Sequence, residues 1–221
     1  IPVVENFSEL GYILRHAEKY QVRPKIGVRV KLAAEGAGRW RESAGDRSKF
    51  GLFTTEILEL VEVLRAHGML DCLKLLHFHL GSQITRIRSI KTAMGETART
   101  LTGLCEMGAP IQYLDVGGGL GIDYDGSSSD FESSVNYTVQ EYANDVIYHV
   151  KEVCAEVGVP QPTILSESGR ALTAHHAVLV TEVMGVTHFA TNIPASKAQE
   201  SDHDTIKKIG DVCEGVNTKN F

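Results

Sequence analysis

The chain has 221 residues, of which 43% are hydrophobic, so it is long enough for one large globular domain or for one domain with part of another. Its net charge of −6 and its lack of a basic cluster argue against a general nucleic-acid-binding protein. No apolar run approaches the roughly 20 residues of a membrane-spanning helix, and no charged and apolar leader opens the sequence, so we expect no membrane association.

Apolar periodicity predicts strands that alternate with amphipathic helices. The predicted strands cover residues 2–5, 25–32, 73–80, 111–116, 163–166 and 177–186. The predicted helices cover residues 8–20, from 54 or 55 to 68, 87–107 and 134–157, with a short helix from about residue 169. A glycine-rich loop covers residues 33–51, and the sequence after residue 186 is polar with little apolar periodicity.

Strands separated by helices indicate a parallel α/β sheet with crossover helices, either a (β/α)₈ barrel or a doubly wound sheet. A complete barrel needs about 250 residues, whereas only five or six strands are predicted here. We therefore expect a partial barrel followed by the beginning of another region. The first residue is Ile1 rather than methionine, which leads us to expect that the chain lies inside a longer protein.

The four cysteines are far apart in the sequence and form no C-x-x-C pair. This spacing is typical of reduced thiols and not of a disulfide or zinc framework. A reducing compartment, the cytoplasm, is the expected location.

Three consecutive glycines, Gly117, Gly118 and Gly119, follow the predicted strand at residues 111–116. A strand that ends in glycine leaves backbone N–H groups unshielded, and such a nest suits a phosphate. The dinucleotide fingerprint G-x-G-x-x-G does not fit, because a count from Gly117 requires glycine where Ile122 stands. The segment predicts a binding site for the phosphate group of an unidentified ligand. A flexible turn is the alternative interpretation.

Two further predicted strand ends carry unusual polar residues. His77, His79 and Ser82 follow one another closely at the first, and Glu167 and Arg170 lie at the second. The carboxyl ends of parallel strands meet at one face, so these groups should lie near the glycines. Ser82 and Arg170 would add phosphate donors. Glu167 would serve another part of the ligand, and a pyridinium nitrogen is such a part, because an anionic partner keeps it protonated.

Four segments carry a family resemblance. They are DRSKFG at residues 46–51, HFHLGSQ at 77–83, DVGGGLGIDYDG at 115–126 and SESGR at 166–170. Together they resemble the biosynthetic arginine decarboxylases, which are pyridoxal-phosphate (PLP) lyases of the alanine-racemase-like barrel class. Ornithine and diaminopimelate decarboxylases are relatives in that class. The resemblance covers about residues 1–187 in the expected order.

The resemblance implies a role for each residue of the site. His79 is expected to stack on the face of the cofactor ring, and Ser82 to bind the cofactor phosphate. The glycines 117–119 are expected to form the phosphate cup, with Arg170 beside it. Glu167 is expected to pair with the ring nitrogen. His79 and Glu167 are therefore the catalytic candidates.

The resemblance also implies domains and an activity. Residues 1–177 would be a PLP-binding barrel, and residues 178–221 the incomplete start of a C-terminal region leading to a β-domain. The implied reaction converts L-arginine to agmatine and CO₂ in polyamine (spermidine) biosynthesis, in a homodimer or larger assembly, with Mg²⁺ as a possible second cofactor. The Schiff-base lysine is expected before Ile1, and a catalytic segment after Phe221. The isolated chain is therefore expected not to decarboxylate arginine.

Other interpretations remain open at this point. The enzyme could be a sister decarboxylase acting on ornithine, lysine or diaminopimelate, or the chain could belong to a non-catalytic regulatory homologue. The H-x-H pair could also bind a metal, as in a metal-dependent hydrolase. Such a site needs further histidines at later strand ends. No metal site is predicted, because His149 falls within a helix, and His175 and His176 lie after a strand on a probable helix.

Several nearby polar residues have more ordinary interpretations. His77 is expected to be a hydrogen-bonded core histidine, and Asp115 to orient the loop that follows it. Asp123 and Asp125 could meet a guanidinium group but are more typical of a solvated loop. Lys49 is equally compatible with a site residue and with a surface cation.

Overall fold

The computed structural model describes residues 1–33, 48–187 and 199–216. Its centre is one parallel sheet of five strands. The strands are β1 (Val3–Val4), β2 (Ile26–Arg29), β3 (Leu73–His77), β4 (Tyr113–Asp115) and β5 (Thr163–Leu165). The helices are α1 (Phe7–Tyr20), α2 (Thr54–Ala66), α3 (Ile87–Glu106), α4 (Val139–Val157), α5 (Gly169–Thr173) and α6 (Asp204–Gly215).

The strand order in the sheet is the same as the order along the chain. A doubly wound sheet reverses its order at a switch point, whereas a barrel adds each new strand on the same side. The sheet therefore has the topology of a barrel segment. Within the described residues, no helix is long and apolar enough to cross a membrane.

Local sequence explains where the helices begin. At α1, the Asn6 side chain accepts a hydrogen bond from the Ser8 N–H at 3.0 Å, and Glu9 accepts one from the Asn6 N–H at 3.1 Å, which forms a capping box. Thr138 and Glu141 form the same box at α4. Helix α4 therefore begins at Val139, and the predicted start at residue 134 was too early.

The core lies between the sheet and the inner faces of the helices. Its largest fully buried side chains come from strands and helices alike: Leu10, Ile26, Leu60, Leu64, Leu73, Leu76, Met94, Leu101 and Leu114. Burial of each such side chain stabilises the fold by about 1.5–3 kcal/mol before the loss of conformational entropy is counted. This packing fixes the carboxyl ends of β3, β4 and β5 side by side.

Two predictions after β5 were wrong. Residues 177–186 form no strand, and their apolar side chains are exposed, Val178 by 83% and Met184 by 100%. Apolar composition supplies a face for burial, but a strand also needs a hydrogen-bonded neighbour, and the described residues offer none there. The predicted polar region contains helix α6, on which Ile206, Ile209 and Val212 recur at helical spacing.

Candidate active site

The loops after β3, β4 and β5 meet at one edge of the sheet. His77 is in register with Asp115, and Asp115 with Leu165, so the three strands end together. Backbone hydrogen bonds continue beyond the strands, from Val116 N–H to Leu165 O at 3.0 Å and from Glu167 N–H to Gly117 O at 2.7 Å. The structure thus brings together the three polar strand ends that the sequence predicted to converge.

The three glycine N–H groups have different surroundings. The Gly117 N–H donates to Asp115 Oδ1 at 2.9 Å, and the Gly118 N–H donates to His79 Nδ1 at 3.3 Å. The Gly119 N–H has no hydrogen-bond partner among the described residues. The N–H groups of Gly117 and Gly118 are therefore not unshielded, as the sequence had led us to expect, because neighbouring side chains bind them. The assignment of all three glycines to a phosphate cup stays a prediction.

Close packing explains why these positions are glycine. A Cβ atom on Gly118 would lie 2.3 Å from Glu167 O, and one on Gly119 would lie 2.0 Å from Gly81 O. Both distances are shorter than any real contact of a Cβ atom. The glycines allow the β3, β4 and β5 loops to approach one another at this edge.

Ser82 and Arg170 connect the first and third loops. The Arg170 guanidinium donates to Ser82 Oγ at 2.7 Å and to Gln83 Oε1 at 3.4 Å. The Ser82 hydroxyl then keeps its own proton free to donate, and Arg170, which is exposed, has further N–H groups. Together with the Gly119 N–H, these groups form a donor set suited to an anion.

His77 and Asp115 form a buried pair beneath the loops. His77 Nδ1 lies 3.1 Å from Asp115 Oδ2, a contact too poorly aligned to count as a hydrogen bond. Burial opposes ionisation of Asp115, but the contact with His77 and the bond from the Gly117 N–H outweigh it and lower the pKa of the carboxyl. Asp115 is therefore an anion that orients the glycine loop.

His79 lies beyond the end of β3, in the loop, where the predicted strand at 73–80 had placed it inside the strand. It retains exposed surface, whereas His77 is buried. Partial burial lowers the pKa of His79, and the positive charge of Arg29 lowers it further. His79 is consequently a neutral imidazole at neutral pH. Glu167 is near enough to act on it electrostatically.

Two residues of the site were missed by sequence reasoning. Gln83 binds both backbone groups of Ile122, donating to its oxygen at 2.7 Å and accepting from its N–H at 3.0 Å. The buried Tyr137 hydroxyl donates to Ile84 O at 2.7 Å and accepts from the Gly121 N–H at 3.2 Å. Burial raises the pKa of Tyr137 to about 12. Both side chains hold the segment that follows the glycines.

The remaining candidates lie at the periphery. Asp123 accepts hydrogen bonds from Ser134 at 2.6 Å and from Gly126 at 3.0 Å, which makes it the organiser of an acidic turn. Lys49 is exposed, while residues 46 and 47 of the DRSKFG segment lie outside the described residues. Within the described ranges there is no group of three or more His, Cys, Asp or Glu side chains that could hold a metal ion.

A family comparison agrees with this geometry. Residues 1–174 match the pyridoxal binding domain of the pyridoxal-dependent decarboxylases. The chain belongs to this family. The residues that could hold the cofactor, Ser82, Gly119 and Arg170, all lie within the matched segment.

Individual relatives show which decarboxylases of the family the chain is similar to. The biosynthetic arginine decarboxylase of Rhodopirellula baltica is 60% identical over 187 residues, which is 85% of this chain and 28% of that protein. The biosynthetic arginine decarboxylase of Deinococcus radiodurans is 49% identical over 221 residues, or 99% of this chain and 33% of that protein. The resemblance to arginine decarboxylases is confirmed. The chain spans about a third of the length of these relatives.

Solved structures confirm the fold. The biosynthetic arginine decarboxylase of Campylobacter jejuni is 36% identical with a TM-score of 0.63, over 76% of this chain and 27% of that one. Diaminopimelate decarboxylase of Helicobacter pylori, complexed with L-lysine, is 25% identical with a TM-score of 0.64, over 76% of this chain and 39% of that one. The predicted partial PLP-binding barrel is confirmed.

Proposed function

We propose that this chain is the cofactor-binding part of an arginine decarboxylase, which converts L-arginine to agmatine and CO₂. The observation that carries the proposal is the single edge at which Ser82, Arg170 and the Gly119 N–H lie beside His79 and Glu167. This N–H has no hydrogen-bond partner in the part of the chain that the structure describes. An anion-binding donor set next to an imidazole and a carboxylate is suited to a phosphorylated pyridine. The identities of 49% and 60% to arginine decarboxylases support the choice of substrate.

The donor set fits the cofactor that the family name implies. Ser82, Arg170 and Gly119 would hold the phosphate, while Gly117 and Gly118 shape the loop around it. When bound, PLP supplies an electron sink for the electrons left by the departing carboxylate. Glu167 is held at the edge of the sheet by its own backbone bond to Gly117 O. From there its carboxylate would keep a pyridine nitrogen protonated.

His79 contributes an uncharged surface. A neutral imidazole can lie against a protonated pyridine ring without like-charge repulsion, whereas a positively charged imidazolium would be repelled by it. The lowered pKa of His79 keeps it in that state at neutral pH. This role is the stacking role that the resemblance implies.

A sister decarboxylase is the second candidate function. The Helicobacter pylori diaminopimelate decarboxylase structure shares the fold at a TM-score of 0.64, and it contains L-lysine. Because that relative is 25% identical here and the two arginine decarboxylases above are 49–60% identical, arginine is preferred.

The activity belongs to a longer polypeptide in this proposal. Residues 1–177 would form the barrel part and residues 178–221 the start of the next region, which agrees with the end of the family match at residue 174. We further propose a homodimer or larger assembly in the cytoplasm. The four cysteines are all free, which supports a reducing compartment. A Mg²⁺ requirement is an expectation from the resemblance alone.

An assay of the full-length protein tests the function. CO₂ release and amine formation are measured with arginine, ornithine, lysine and diaminopimelate, with and without added PLP and with Mg²⁺ or a chelator. PLP-dependent agmatine formation, with arginine preferred, is expected. A preference for ornithine or diaminopimelate would assign the sister activity, and no turnover of any of the four would favour a regulatory homologue. Agmatine formation by residues 1–221 alone would contradict the expectation that the isolated chain is inactive.

A further inference from the structure

The imidazole of His79 is bound by the glycine loop. Its Nδ1 atom accepts a hydrogen bond from the Gly118 N–H at 3.3 Å. A backbone N–H can only donate, so Nδ1 must be the unprotonated nitrogen of the ring. In a neutral imidazole the proton is then on Nε2.

Asp115 binds the backbone N–H group that comes directly before the Gly118 N–H. Its Oδ1 atom accepts from the Gly117 N–H at 2.9 Å, one residue before the donor to His79. The loop turns at Gly117, where φ is +68°, and a Cβ atom there would lie 2.5 Å from Phe78 O. The second carboxylate oxygen lies 3.1 Å from Nδ1 of the buried His77.

We propose that Asp115 is a positioning residue that, through the backbone N–H groups of Gly117 and Gly118, holds His79 as the neutral tautomer with its proton on Nε2. His79 then presents a hydrogen-bond donor at its outer edge, and its ring plane is fixed by the β4 loop. Asp115 makes no hydrogen bond to His79 itself among the described residues, so the positioning runs through the glycine backbone. The proposal deepens the proposed function, because His79 belongs to that site, but the tautomer itself requires no cofactor.

Three charged or titratable groups besides Asp115 act electrostatically on the His79 imidazole. Arg29 and His77 disfavour the imidazolium ion, whereas Glu167 favours it. Asp115 also favours the imidazolium ion through its charge. A purely electrostatic role of Asp115 would therefore change with its charge, while a positioning role depends on its acceptor oxygen. This difference separates the two roles experimentally.

The test compares Asp115→Asn with Asp115→Ala in the cofactor-free full-length protein labelled with ¹⁵N-histidine. Asparagine removes the charge but keeps an oxygen that can accept from the Gly117 N–H, and alanine removes both. Solid-state ¹⁵N NMR reports which ring nitrogen of His79 is protonated, and the His79 signals are assigned by their loss in His79→Gln. We expect the Nε2–H tautomer in the wild type and in Asp115→Asn. In Asp115→Ala the tautomer ratio should shift toward Nδ1–H by about fivefold, the equivalent of one ordinary hydrogen bond.

Three results for the tautomer would overturn the proposal. They are a wild-type His79 protonated on Nδ1, an unchanged tautomer ratio in Asp115→Ala, and an equal shift in Asp115→Asn and Asp115→Ala, which assigns the effect to charge. If Asp115→Ala does not fold, the unmodified protein provides a second measurement, the scalar coupling across the hydrogen bond between Gly118 N and His79 Nδ1. Absence of that coupling also rejects the proposal. If the full-length protein proves not to be a decarboxylase, these NMR measurements are unaffected. Failure of the proposed function and failure of the His79 proposal are therefore distinguishable.

Discussion

Replacing Gly119 by alanine tests whether the loops meet as closely as the structure indicates. The new Cβ atom would lie 2.0 Å from Gly81 O, and the β3 and β4 loops would have to separate by about 1.4 Å to restore a contact of 3.4 Å. The φ angle of +89° adds a conformational cost of about 1–2 kcal/mol for a residue with a side chain. Overpacking adds about 1–3 kcal/mol, so the expected loss of folding free energy is about 2–5 kcal/mol.

Gly126→Ala is the matched control for this substitution. Gly126 also has a positive φ, +75°, but a Cβ atom there would have nothing within 4 Å. This variant should lose only the conformational term of about 1–2 kcal/mol. Denaturant unfolding of the cofactor-free full-length protein measures both variants.

The affinity for PLP is a second measurement that distinguishes the Gly119→Ala and Gly126→Ala variants. Displacing the Gly119 N–H should remove one hydrogen bond to an anion, worth about 1.5–3 kcal/mol, which is roughly a 10- to 150-fold weaker Kd for PLP. Gly126→Ala should leave the Kd within about twofold, because Gly126 lies outside the donor set. Equal stability and equal Kd in the two variants would refute the close approach of the loops.

Three further predictions concern single side chains of the site. Glu167→Gln should reduce kcat by at least about 100-fold while changing the Kd for PLP much less, as measured by steady-state kinetics and cofactor titration. An unchanged kcat would show that Glu167 does not act on the pyridine nitrogen of the cofactor. The pKa of His79 in the folded protein lies below its ordinary value of 6.5. Between these two pKa values the unfolded chain binds more protons than the folded one, so the free energy of unfolding should fall as pH drops below 6.5. His79→Gln should lose this part of the pH dependence, and an identical profile would contradict the shift. Tyr137→Phe should destabilise the fold by about 1–3 kcal/mol in denaturant unfolding, because it leaves the Gly121 N–H and Ile84 O unpaired; Tyr148→Phe, which removes an exposed hydroxyl bound to Glu152, is the control and should change little.

The sequence predicted the five strands and the convergence of their ends because both depend on local signals. Apolar runs of four to eight residues bounded by glycine or proline identify strands, and parallel topology then brings the carboxyl ends together. The helices 87–107 and 8–20 were predicted within about two residues of α3 and α1. Boundaries were less accurate, since the strand at 73–80 ends at His77 and the helix at 134–157 begins at Val139.

The missed features depend on contacts between distant parts of the chain. Tyr137 lies 16 residues from Gly121 and 53 from Ile84 in the sequence, so nothing local marks its hydroxyl as their shared partner. Gln83 was visible only as the last residue of a motif, and its bonds to Ile122 follow from the folded loop. The predicted strand at 177–186 failed for the opposite reason, because its local signal is strong but no neighbouring strand is present among the described residues.

The triple glycine has a different meaning in the structure from the one that its sequence suggests. Glycines after a strand indicate free N–H groups for a phosphate, yet Gly117 and Gly118 donate to Asp115 and His79. Their lack of side chains is required by the close approach of the β3 and β5 loops. We therefore propose that phosphate binding rests chiefly on Gly119 and on the donors of the flanking loops, so that variants of those donors should weaken cofactor binding. Variants of the first two glycines should act mainly by separating the loops, because a Cβ atom there would lie 2.5 Å from Phe78 O or 2.3 Å from Glu167 O.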